Sequence, residues 1–145
     1  MNNSINHSNT IDLRYSNITQ YFELILNDLS CGKETKAYII SIYAKYKNAS
    51  HDLSKDSLTL LYAQATNKQD FSIYQNLGDW IFVKNSLFLE KNENLKNASK
   101  DYYDTLGRLS YYSCYRLINK QWHLFEELAD NFVNLENQAK KLLKS

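Results

Sequence analysis

Residues 70–89 read DFSIYQNLGDWIFVKNSLFL. Phe71, Ile73, Tyr74, Leu77, Trp80, Ile81, Phe82, Val83, Leu87, Phe88 and Leu89 leave no wide polar face on a helix drawn through this stretch. A helix that is apolar nearly all the way round is a buried one, so the rest of the chain should pack around it. Gly78 and Asp79 stand in its middle, where neither is a natural choice for a helix interior. Asp70 is placed to cap its start.

The neighbouring stretches repeat the helical period. Ile11, Tyr15, Ile18, Phe22, Ile25 and Leu29 form one stripe. Its secure part runs from Ile18 to Leu29, with Gly32 as a left-handed cap after it. Thr35 is the expected cap of a second helix reaching about Lys47. Ser54 or Asp56 opens a third, carried by Leu58, Leu61, Tyr62 and Ala65. After a polar loop from Glu90 to Ala98, Ser99 or Asp101 begins a fifth helix ending near Asn119. Its stripe is Tyr103, Leu106, Ser110, Cys114 and Leu117. A last helix from about Gln121 carries the seam Phe125, Leu128, Phe132, Leu135, Ala139 and Leu142. The chain has no proline and only three glycines, too few for a turn-rich sheet protein. The fold class is therefore all-α, a single-domain bundle of about six helices around a buried central helix. Residues 1–10 form a polar, disordered tail and residues 11–145 the helical domain.

Composition narrows the function classes. A net charge of +1 provides no basic face of the kind nucleic acid requires. No run approaches the roughly 18 apolar residues of a membrane span, and the N-terminus lacks the apolar segment of a secretory signal. Cys31 and Cys114 lack metal-site or redox spacing and read as free thiols in a reducing cytoplasm. No nucleotide loop, nucleophile elbow or zinc-protease motif is present, and no cofactor is implied.

Three stretches carry a resemblance. They are Gly78-Asp79-Trp80-Ile81-Phe82-Val83 with Leu87-Phe88-Leu89-Glu90; Asp101-Tyr102-Tyr103 with Gly107 and Ser110-Tyr111; and Leu128-Ala129-Asp130-Asn131-Phe132. Their order and spacing, over about residues 35 to 138, resemble an uncharacterised family of short, all-helical bacterial proteins. Ser86 stands where a Gly is expected in that family, and Leu89 where a Pro is expected. The resemblance implies the helical fold and no activity.

Asp79 is the residue with the most chemistry to explain. A carboxylate in an apolar helix needs a partner: Arg108 or Arg116 from the fifth helix, a tyrosine hydroxyl, or a backbone amide. Arginine can make two parallel bonds to one carboxylate. If Asp79 belongs to a buried ion pair, Asp79→Asn should cost about 3–5 kcal/mol. If Asp79, Tyr103 and Arg108 line a ligand pocket, the same change should leave the fold intact and abolish binding. Gly78 and Gly107 are expected at a close crossing of the fourth and fifth helices, and Asp104 and Arg108 as a pair one turn apart. His123, Glu126, Glu127 and Asp130 resemble a metal cluster only loosely, because the Glu-x-x-His pairs of bundle di-metal sites are lacking, and no metal is assigned. The leading functional reading is a non-enzymatic interaction or regulatory module. It would bind another protein or itself through a tyrosine-rich face of Tyr38, Tyr43, Tyr46, Tyr111, Tyr112 and Tyr115. The alternative is a small-ligand or metal-binding bundle with a pocket near Asp79.

Overall fold

The computed structural model describes residues 17–46, 55–88 and 97–144. The expected tail, the Ser54 cap and most of the loop from Glu90 lie outside these residues. Seven helices are present among the described residues: α1 (17–25), α2 (Lys33–Tyr46), α3 (Lys55–Lys68), α4 (Phe71–Phe88), α5 (Asn97–Leu117), α6 (His123–Asp130) and α7 (Phe132–Lys144). No strand occurs among them.

Helix α4 is the hub. It packs most extensively against α5 and also meets α2, α3 and α7. From Leu77 to Ser86 every residue is buried except Trp80, which is half-buried. Both central glycines are explained by close approach. A Cβ on Gly78 would fall 2.7 Å from the Tyr111 ring of α5, and one on Gly107 would fall 2.5 Å from Phe132 of α7 and 3.2 Å from Ile81 of α4. Gly78 therefore sits at the expected α4–α5 crossing, whereas Gly107 admits α7 as well.

The helix ends depart from expectation in instructive ways. The Asp70 carboxylate accepts the Ile73 amide at 3.2 Å and caps α4 as read from the sequence. Gly32 is no left-handed cap. No glycine among the described residues has positive φ, and α1 ends at residue 25, before a turn that buries Leu26 and Leu29. Thr35 is not a cap either: α2 starts at Lys33 and Thr35 is buried in its first turn. The left-handed positions fall on Gln69, Asn119 and Lys120, just beyond α3 and α5. There the amides of Asp70 and Lys120 reach back five residues to the carbonyls of Ala65 and Tyr115, closing the helix ends without glycine. α5 begins at Asn97, ahead of both expected caps.

The last expected helix is two. Asn131 breaks regular α geometry at φ −114°, yet it still donates to the Glu127 carbonyl at 3.0 Å and accepts from the Leu135 amide at 2.8 Å. Helical register thus passes through the break. Phe125, Leu128, Phe132, Leu135 and Ala139 are all buried along one seam.

Candidate functional site

Asp79 lies at the centre of the molecule and is 3 % exposed. Its Oδ1 accepts two hydrogen bonds, from the hydroxyl of Tyr38 on α2 and from that of Tyr111 on α5, each at 2.7 Å. The Gln75 side-chain amide donates to the Tyr38 oxygen at 3.0 Å and extends the chain. Gly78 and Asp79 act as one device. The glycine makes room for the Tyr111 ring, and the hydroxyl of that ring satisfies the next residue. Phe125 packs beside both tyrosines, with ring centroids 5.5 Å from Tyr38 and 6.0 Å from Tyr111.

Burial pushes the Asp79 carboxyl up to about 6, against the lowering effect of the two tyrosine bonds and of the Lys45 charge. Burial, followed by the charge of Asp79, holds both tyrosine hydroxyls well above their ordinary value. The tyrosines stay protonated and donate. Cys114, one turn beyond Tyr111, is buried with its thiol 3.8 Å from the Phe71 carbonyl, and burial raises it as well. Cys31 and Cys114 are both free. Chemically, the arrangement ties α2, α4 and α5 together through one acceptor.

The residues expected around Asp79 are elsewhere. Arg108 and Arg116 are exposed on α5, so the arginine option is corrected in favour of the tyrosine one. Tyr103 is half-buried and stacks edgewise on Tyr102 at 5.9 Å. Asp104 is committed to Lys100 at 2.5 Å and Asn85 at 2.8 Å, not to Arg108. The expected tyrosine face is largely core: Tyr43, Tyr111 and Tyr115 are buried, Tyr38 and Tyr46 are half-buried, and only Tyr112 is exposed. Tyr38 and Tyr111 were visible in the sequence as tyrosines but not as partners, because pairing across 41 and 32 residues leaves no periodic trace.

A second buried polar cluster has no period in the sequence to mark it. Asn85 of α4, Lys100 and Asp104 of α5 and Glu136 of α7 converge, with Glu136 1 % exposed. The signal for it was the polar run Lys84-Asn85-Ser86 inside an otherwise apolar helix. Ser86 bonds the carbonyls of Phe82 and Val83 and the hydroxyl of Tyr43, a role open to serine and closed to glycine.

Two surface features complete the candidates. A cleft of about 570 Å³ lies between the start of α2 and α6. There the Glu127 carboxylate accepts the Gly32 amide at 3.1 Å, while His123 faces Glu126 at 3.5 Å. Among the described residues no group of three or more His, Cys, Asp or Glu is placed to hold a metal ion. A groove of about 400 Å³ runs between α2, α3 and α4, lined by Lys45, Tyr46, Leu61, Ile73, Leu77 and Trp80. No helix among the described residues is long and apolar enough to cross a membrane. No family model, no curated protein and no solved structure matches this chain.

Proposed function

We propose that the chain is a non-enzymatic helical interaction module that docks through α1, onto a second copy of itself or onto another protein. The observation that carries this reading is Leu24. It is 82 % exposed on a helix whose other face, buried Phe22 with half-buried Ile18 and Ile25, packs on the bundle. The water side of α1 thus carries a large apolar side chain among Asn17, Gln20 and Glu23, where a surface helix ordinarily shows only polar ones. Tyr21, one turn earlier, is 52 % exposed. This supports α1 as the contact in place of the tyrosine face read from the sequence. The polar groups of the Asp79 centre are spent on one another, which supports a scaffold over a reactive site. The two free thiols support a reducing, cytoplasmic setting. Sedimentation equilibrium of the wild type and of Leu24→Lys tests the self-association form. The expected result is a concentration-dependent dimer that the substitution reduces to monomer with unchanged thermal stability. A wild type that stays monomeric throughout overturns that form.

A second reading is a small-ligand site in the groove beside Asp79. It is favoured by one observation: the groove residue Trp80 has a buried indole N–H with no acceptor among the described residues, which is rare in folded proteins. Native mass spectrometry of gently purified protein decides it, since a retained ligand adds a stoichiometric mass.

A further inference from the structure

Where α4, α5 and α7 meet, Lys100 reaches two acids. Lys100 Nζ stands 2.5 Å from Asp104 Oδ2 and 3.4 Å from Glu136 Oε1. Asp104 also takes the Asn85 amide on its other oxygen. Both Glu136 oxygens are buried, and among the described residues neither receives a hydrogen bond of good geometry, Lys100 standing off at 3.4 Å. A carboxylate ionised in such a place carries the full cost of desolvation with little compensation, and a second carboxylate alongside increases that cost. A proton on Glu136 removes the charge and turns the group into a donor toward Asp104.

We infer that Glu136 and Asp104 hold a single proton between them, and that this proton latches α7 to α4 and α5, so that its loss opens α7.

On α7 itself, Lys140 lies one turn beyond Glu136 and is half-buried. On α4, Lys84 lies over the Trp80 ring at 5.8 Å. On α2, the Tyr43 hydroxyl bonds Ser86 and is raised by burial and then by the charge of Glu136. On α6, His123 faces Glu126, Glu127 caps α2 and Asp130 is exposed. On α5, Lys100 and Asp104 are the partners already named, and Arg108 is exposed. Burial and the Asp104 charge both push the Glu136 carboxyl up, beyond what Lys100 offsets. The shared proton belongs to the coupled pair more than to either residue. Opening α7 would bare Phe132, Leu135 and Ala139, the apolar seam now closed against the bundle. The inference does not rest on the α1 docking reading.

Hydrogen exchange of the full chain, followed by mass spectrometry and corrected for intrinsic base catalysis, tests it. The wild-type α7 segment should open more readily as pH rises from neutral, by up to about tenfold per pH unit for one linked proton, and level off once the pair has lost that proton. Glu136→Gln, which keeps a neutral donor, should abolish that slope. Asp104→Asn should move it to lower pH, because the second acid is removed. Opening of α7 that is independent of pH in the wild type overturns the inference. So does a wild-type slope that persists in Glu136→Gln. If Glu136→Gln fails to fold, the wild-type profile and Asp104→Asn still decide.

Discussion

Tyr111→Phe isolates the chemistry of the molecular centre, because it removes one oxygen and keeps the ring that fills the space over Gly78. The Asp79 carboxyl rises on folding from 3.8 to about 6, which corresponds to about 3 kcal/mol in favour of its protonated form. A folded value raised above the unfolded one means that the contribution of this group is fully present below about pH 4 and is lost as pH climbs to about 6. Above that point Asp79 is charged, and each tyrosine hydroxyl makes a charge-assisted bond worth about 1.5–3 kcal/mol. Below it the acceptor is neutral and the same bond is worth about 1 kcal/mol. Tyr111→Phe should therefore cost about 2–3 kcal/mol at pH 8 and about 1 kcal/mol at pH 4.5. Loss of a bond that lowers the Asp79 value should also carry the variant's decline in stability to higher pH than the wild type's. Urea unfolding at closely spaced pH values reads both effects. Comparison with the wild type cancels the other acids. An equal cost at both pH values would refute the reasoning, since it would mean that the hydroxyl does not meet the charge.

Other substitutions follow from the same geometry. Asp79→Asn should lie within about 1 kcal/mol of wild type at pH 8, because the amide oxygen still accepts two hydroxyls, while Asp79→Ala should lose at least about 2 kcal/mol by stranding them; chemical denaturation separates these from the 3–5 kcal/mol expected of an arginine pair. Gly78→Ala should gain about 1 kcal/mol of helix propensity yet destabilise overall, since overlap with a fully buried ring costs about 1–3 kcal/mol or more. Combined with Tyr111→Ala, it should become neutral or favourable in a double-mutant cycle. Phe132→Ala, which empties the space between Phe82, Tyr111 and Gly107, should cost about 3–5 kcal/mol by thermal or urea unfolding. Glu127→Ala should cost about 0.5–2 kcal/mol through loss of the cap on Gly32 and should show first as faster amide exchange at the start of α2.

What could be read in advance is what has a period or a local cause. The burial of α4 followed from its all-round apolar surface, and the α6–α7 seam from spacings of three and four. Asp70 capped because a cap acts within three residues. The errors were of two kinds. Local ends gave way to tertiary demand: Gly32 serves as a backbone donor to Glu127, from a helix 95 residues away, and Thr35 was drawn into the core. Partner choice was invisible. Asp79 needed a donor, and chemistry allowed arginine or tyrosine. Only the closeness of Gly78 to the Tyr111 ring selects tyrosine, and Arg108 stays in water because α5 turns that face outward. Glu136 was missed because a single acid beside Leu135 looks like the solvent edge of a seam until α4 and α5 close over it.

The central claim is that Asp79 is a buried carboxyl held by two tyrosine hydroxyls, with no arginine. Carbon NMR titration of its side-chain carboxyl tests this most directly. The account predicts a midpoint near 6, above the ordinary 3.8, that moves higher in Tyr111→Phe. A midpoint below 3.8 would contradict it, because the carboxylate would then be held by more than two tyrosine hydroxyls can offer against burial, as by a close cation such as an arginine.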